Sequence, residues 1–304
     1  VRILVTATIL DQADQPTAWG EDAVPTRPGP TVQRRRLGIE LRRLREAAGK
    51  TIDEVAKVLE CSDSKVSRIE NGQVSASPRD VHDMLEFYGV EEERREELVE
   101  HTRVARRKGW WEAYSDTLAV PLVGLEVAAD RILAYEAMVV HGLLQTEDYT
   151  RALIRAVRPD LSPAQIERWV TFRMTRQDLL RQPAPPTLHV VIEECALRRA
   201  VGGPGVMREQ LQHLLEVGNV PNLTVQVLPL SVGEHGAVTG TFHVYHFAEA
   251  SSPDVVYLEH TASDLYLDNR DQVERYGATF ERLTNAAMTP RKSRAFMSAL
   301  TQKP

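Results

Sequence analysis

An all-α N-terminal domain followed by an α+β C-terminal domain is what this 304-residue sequence predicts. Three observations carry that expectation. Apolar residues recur at helical spacing from about Gln33 to Arg107. After Thr146, helical stretches are mixed with short runs rich in β-branched and aromatic residues. Residues 11–31 are rich in Pro, Gly and polar residues and hold no apolar period, which marks an arm or linker. The expected division is a flexible arm over 1–32, a helical domain over 33–108, a junction over 109–136 and an α+β domain over 137–304.

Taken in order, Val1–Leu10 is apolar but too short to span a membrane and lacks the pattern of a signal peptide. An added strand and an upstream translation artefact both remain open there. Leu37, Leu41, Leu44 and Ala48 form one stripe of a first helix, with Arg34, Arg35, Arg36, Arg42, Arg43 and Arg45 around its other faces and Gly49 ending it. Thr51 and Glu54 make a capping-box signature for a helix over Ile52–Leu59, whose apolar face is Ile52, Val55, Ala56 and Leu59. A tight turn at Glu60-Cys61 follows. Ser62 then caps a third helix, Asp63–Glu70, with Val66 and Ile69 inward and Asp63, Ser64, Lys65, Ser67 and Arg68 outward. In the second half, helices are expected over Thr146–Val157, Pro163–Leu180, Pro204–Gly218, Arg270–Ala287 and Pro290–Leu300. Strands are expected over Thr187–Glu193, Leu223–Leu228, Thr241–Phe247 and Val255–Glu259.

The net charge of −6 hides an asymmetry: residues 34–68 hold ten basic against six acidic side chains, so a local basic face lies in an acidic chain. Counterion release on DNA needs only that local face. The three short helices have the spacing of a helix-turn-helix, whose second helix enters the major groove. On this reading Asp63 and Ser64 read base edges, Arg68 takes guanine or a phosphate, and Lys65 meets phosphate. Thr51 and the amides beside it grip a further phosphate. The DNA-facing candidates are Arg35, Arg36, Arg43, Thr51, Ser62, Asp63, Ser64, Lys65, Ser67 and Arg68. A helical bundle with solvated arginines is the plainer alternative.

Ser62-x-Ser64-Lys65-Val66-Ser67-Arg68-Ile69-Glu70-Asn71-Gly72 resembles the recognition-helix signature of Xre-type, lambda-repressor-like regulators. Glu60 departs from the glycine usual in that turn, which costs roughly 1 kcal/mol if the residue is left-handed. Further on, Trp110-Trp111-Glu112, Gly142–Tyr149, Arg176-Gln177, Glu194–Gly203, Gln226–Pro229 and Val256–Glu259 together resemble the C-terminal domain of WhiJ-type regulators of actinomycetes. His141 stands where that family commonly has proline. The resemblance implies an antitoxin-like C-terminal domain, often with a small protein partner encoded nearby, and roles in development and specialised metabolism.

Read from the residues, Trp110 and Trp111 either stack on a ligand or partner or seal the domain junction, the latter being favoured. Gln145 and Tyr149 face a pocket or form a helix-capping turn; Arg176 is a further ligand or partner candidate. Arg198 precedes Gly202-Gly203-Pro204, an anion site or simply a helix start. His235, His243 and His246 near Glu234 make poor joint metal ligands, because positions 243 and 246 of a strand point to opposite faces. Cys195 beside Glu193 and Glu194 is a poor nucleophile. No catalytic motif, metal set or cofactor is expected, and the two distant cysteines suit a reducing cytoplasm. The expected protein is a non-enzymatic, cytoplasmic, nucleoid-associated transcription regulator. It binds a palindromic double-stranded operator as a homodimer and senses a small-molecule effector or protein partner. The alternative is an antitoxin-like interaction protein that neutralises a small partner and autoregulates its operon.

Overall fold

The computed structural model describes residues 30–72, 74–105, 111, 114, 120–248, 253–259 and 264–302. Five helices form the first domain: α1 (Pro30–Ala47), α2 (Ile52–Val58), α3 (Asp63–Glu70), α4 (Pro78–Phe87) and α5 (Glu92–Ala105). Proline's fixed φ suits the first position of a helix, and α1 accordingly starts at Pro30, inside the segment expected to be a flexible arm. The remainder of that arm and Trp110 lie outside the described residues. Leu37, Leu41, Val55, Ala56, Val66, Ile69, Val81, Met84 and Leu85 bury together as the domain's core, so the apolar stripes of the short helices converge on one another.

Arg45 corrects the expected outer ring of arginines. It continues the Leu37–Leu41 row by another four residues and is therefore turned inward, 9% exposed. Its guanidinium donates to both oxygens of buried Glu70, at 2.7 and 3.0 Å, and to the carbonyl of Lys50 at 2.9 Å. A buried cation is tolerated there because a carboxylate meets it bidentately.

The second domain runs α6 (Val120–Ala128), β1 (Arg131–Glu136), α7 (Glu147–Val157), α8 (Pro163–Gln177), β2 (Thr187–Glu193), α9 (Glu194–Arg198), α10 (Pro204–Val217) and β3 (Leu223–Leu228). It continues through β4 (Phe242–His246), β5 (Val255–Glu259), β6 (Asp264–Leu267), α11 (Arg270–Ala286) and α12 (Pro290–Thr301). The strands form one six-stranded sheet in the order β3-β2-β1-β4-β5-β6. β1, β2 and β3 are parallel, while β4, β5 and β6 add antiparallel to the other side of β1. An all-α helix-turn-helix domain is thus followed by an α+β domain.

The segment expected as a junction is corrected by this topology. It supplies α6 and the central strand β1, which is buried at five of six positions. A strand covered on both faces reads as a continuous apolar run and shows no alternation. One face of the sheet, with Ile132, Ala134, Val190, Ile192, Tyr245 and Tyr257, packs with residues of α6, α7, α10 and α12. The other, with Leu133, Tyr135, Val191, Phe242 and Val244, packs with Val273, Phe280 and Leu283 of α11.

Candidate nucleic-acid interface

The unit that presents a helix outward is α2–turn–α3. Thr51 caps α2 through a full capping box: the Glu54 amide donates to the Thr51 hydroxyl at 3.3 Å and the Thr51 amide to the Glu54 carboxylate at 2.8 Å. That backbone hydrogen bond, followed by the one from the Thr51 hydroxyl, lowers the pKa of the Glu54 carboxyl. α2 ends in a Schellman turn, in which the Cys61 amide reaches back to the Ala56 carbonyl at 2.9 Å and the Glu60 amide to the Lys57 carbonyl at 3.3 Å. Glu60 is left-handed, with φ 50°, and among the described residues it is the one non-glycine with positive φ.

Ser62 caps α3 by accepting from the Lys65 amide at 3.3 Å. Val66, Ile69 and Glu70 anchor the helix inward. Ser62, Asp63, Ser64 and Arg68 are exposed, while Lys65 and Ser67 are half-buried. Lys65 is drawn to Asp80 at 3.2 Å, and Asp80 itself closes the capping box of α4 with Ser77. Ser67 accepts from Asn71 at 3.4 Å. Arg68 folds along its own helix, its Nε donating to the Ser64 carbonyl at 3.3 Å, and has no carboxylate partner among the described residues.

The arginines of α1 divide. Arg43 is exposed but grips Glu40 through two hydrogen bonds, 2.9 and 2.8 Å, and Glu40 also receives Arg94. These hydrogen bonds, Arg43's first, lower the pKa of the Glu40 carboxyl against the effect of its partial burial. Arg35 faces the second domain: its guanidinium meets Asp268 at 2.7 Å and lies 5.7 Å from the ring centre of Tyr266. Arg36 lines a small crevice between the domains with Leu125, Phe247, Pro253 and Val255. The structure therefore places Arg35 and Arg36 away from α3's outer face.

In the second domain Gln145, Tyr149 and Arg176 are all buried. Gln145 donates to the Val140 carbonyl at 2.6 Å and accepts from Thr150 and Arg173 at 3.0 and 2.8 Å. The Tyr149 hydroxyl accepts from the Val140 amide at 3.1 Å. Arg176 meets Glu126 bidentately at 3.0 and 2.5 Å. Gln145 ties the turn after β1 to α8 through Arg173, Tyr149 ties that turn to α7, and Arg176 ties α8 to α6, so the bonds of all three are spent inside the fold, because buried polar groups must find partners. Trp111 packs with Val123 and Phe172. Arg198 pairs with Glu194 at 2.6 Å and lies over the Phe296 ring, turned to its own helix and to α12.

A family described as a domain of unknown function, DUF5753, matches residues 120–299, more than half the chain. The chain belongs to the DUF5753 family. A helix-turn-helix domain family matches residues 36–98 of this DUF5753 protein, which supports a DNA-binding regulator. No curated protein and no solved structure matches it. No helix among its described residues is long and apolar enough to cross a membrane. Sequence reasoning missed two residues that shape the DUF5753 protein's helix-turn-helix: Glu70, which holds Arg45, and Asp80, which draws in Lys65. The available signal for the first was a charge one residue after Ile69 on a helix whose inner face was otherwise apolar.

Proposed function

We propose that this DUF5753 protein is a sequence-specific transcription regulator of the Xre and WhiJ type suggested by its motifs, with α3 as its reading helix. The observation that carries the reading is the division of α3: Val66, Ile69 and Glu70 are buried, while Ser62, Asp63, Ser64 and Arg68 are exposed at the helix's start and outer face. A helix so anchored can lie in the major groove with its N-terminal residues at base edges. Arg68, without a carboxylate partner among the described residues, is the group for guanine. Thr51 and Ser62 stand at helix N-termini suited to phosphates. Arg43 supplies a weaker phosphate contact, since Glu40 must first release it. Two copies on a palindromic operator give the half-site spacing such helices require. The second domain serves as the input, by ligand or by protein partner.

The test is selection of bound sites from random DNA, followed by anisotropy titration of the selected site. Arg68→Ala is expected to weaken the specific site by about 1–3 kcal/mol and to relax the sequence preference at one position. Absence of binding at low ionic strength overturns the reading. A variant effect equal on specific and random DNA moves Arg68 from bases to phosphate.

A further inference from the structure

The histidines near Glu234 that the sequence groups together are separated by the fold. His235 pairs with Glu193 at 3.1 Å and His246 with Asp254 at 2.6 Å. His243 instead meets residues from elsewhere in the chain. In the β1–β4 ladder Ala134 lies opposite His243, so Glu136, two residues on, shares His243's face of the sheet. His141, in the turn just after β1, closes the group.

We propose that Glu136, His141 and His243 form a binding site for one divalent transition-metal ion of the zinc class. The His243 Nε2 lies 2.9 Å and the His141 Nε2 3.9 Å from the same Glu136 oxygen, and the three ligand atoms lie within 4.8 Å of one another. Ligands about 2.0–2.2 Å from a tetrahedral Zn²⁺ are spaced roughly 3.4 Å apart, so small side-chain adjustments suffice. All three side chains are at least nine-tenths buried. Two imidazoles and a carboxylate are a zinc-type donor set and leave a fourth position open.

The surroundings fit such an ion. Burial lowers His141's pKa well below the usual histidine range, with nearby His243, Arg176 and Arg173 acting in the same direction. Burial raises the Glu136 carboxyl, with His243 opposing, and a divalent ion supplies the positive charge that keeps it ionised. Of the two arginines that act on His141, Arg176 is paired with Glu126, while Arg173 donates to the neutral Gln145 and leaves Glu136 to balance its charge. His243's other nitrogen sits 3.3 Å from the Tyr245 hydroxyl, an oxygen that can accept its ring proton when Nε2 ligates. His141's Nδ1 accepts from the Leu143 amide at 3.2 Å. On ligation through Nε2 the ring proton passes to Nδ1, and that single contact opens. The ion ties the turn after β1 to β4.

The second group of ligand-type residues, His82, Asp83 and Glu86 on α4, lies on the surface and serves as the control. The full chain, stripped with chelator, is loaded with Zn²⁺ or Co²⁺ alone, and bound metal is measured after gel filtration. About one ion per chain is expected to be retained, with Co²⁺ giving the visible absorption of a low-coordinate nitrogen–oxygen site. His141→Pro suits the backbone there, where φ is −52°, and removes a ligand. Glu136→Gln removes the charged ligand with little change of shape. Each variant is expected to weaken binding at least about tenfold, with its circular dichroism unchanged, while His82→Ala binds as the parent does. Should His141→Pro misfold, Glu136→Gln alone decides. No retention by the parent, undiminished binding in Glu136→Gln, or loss in His82→Ala overturns the proposal.

Discussion

Glu60 occupies the position after α2 where the chain must turn left-handed so that Cys61 can close the Schellman bond to Ala56. An L-residue with a Cβ loses about 1–2 kcal/mol in that region, and glycine does not. The Glu60 side chain is exposed and, among the described residues, makes no hydrogen bond that offsets this cost. Glu60→Gly is therefore expected to stabilise the DNA-binding domain by roughly 0.5–1 kcal/mol after the extra entropy of glycine in the unfolded chain is subtracted. Thermal or urea denaturation of the full chain measures it, and a destabilised variant refutes the strain. The position was legible in sequence because a helix-stop signature surrounds a residue other than glycine. Arg45 was only half legible: its spacing continues the Leu37–Leu41 row, but only the distant Glu70 carboxylate makes its burial possible.

At the scale of elements, α1 crosses the end of α3 at a distance that only glycine permits. A Cβ on Gly38 would lie 2.5 Å from the Glu70 carbonyl oxygen and 2.6 Å from that of Ile69. Gly72, left-handed with φ 67°, brings the chain against the backbone of Arg35 on the same helix. Gly38→Ala is expected to destabilise the domain by about 1–3 kcal/mol, because both clashing atoms belong to backbone and cannot swing away. The readout is the unfolding midpoint, together with weaker DNA binding in proportion to the fraction unfolded. Unchanged stability would falsify the close crossing. Helices with one apolar stripe and a capping residue, α2, α3 and α8, could be read from sequence because their signals are local. α6 and β1 could not. Val120–Ala128 and Arg131–Glu136 are apolar without helical or alternating period because the fold covers them on several sides, and that covering comes from residues far away in the chain. The metal candidates were missed for the same reason: a ladder pairing, and not a sequence interval, brings Glu136 to His243.

For the molecule as a whole, the basic side of α1 has two fates, and Arg35 separates them. Sequence alone makes Arg35 a DNA-facing candidate; the fold sets it between Asp268 and Tyr266, with its side chain 13% exposed. α1 also packs on α6, and Leu125 of α6 lines the crevice beside Arg36. The helix that supports α3 is thus joined directly to the second domain, the connection that any signal from that domain requires. Part-exposed ion pairs are worth only about 0.2–1 kcal/mol and are screened by salt, so this clamp is easily released. Arg35→Ala and Asp268→Asn are each expected to raise amide hydrogen exchange along α1 and near β6, and to do so alike. In DNA titrations across salt concentration, neither variant is expected to change the slope of log affinity. A lost phosphate contact reduces that slope by about 1 and does so in Arg35→Ala alone, since Asp268 carries no positive charge to release counterions. The two variants behaving alike assigns Arg35 to the clamp; a flattened slope in Arg35→Ala only returns it to the DNA.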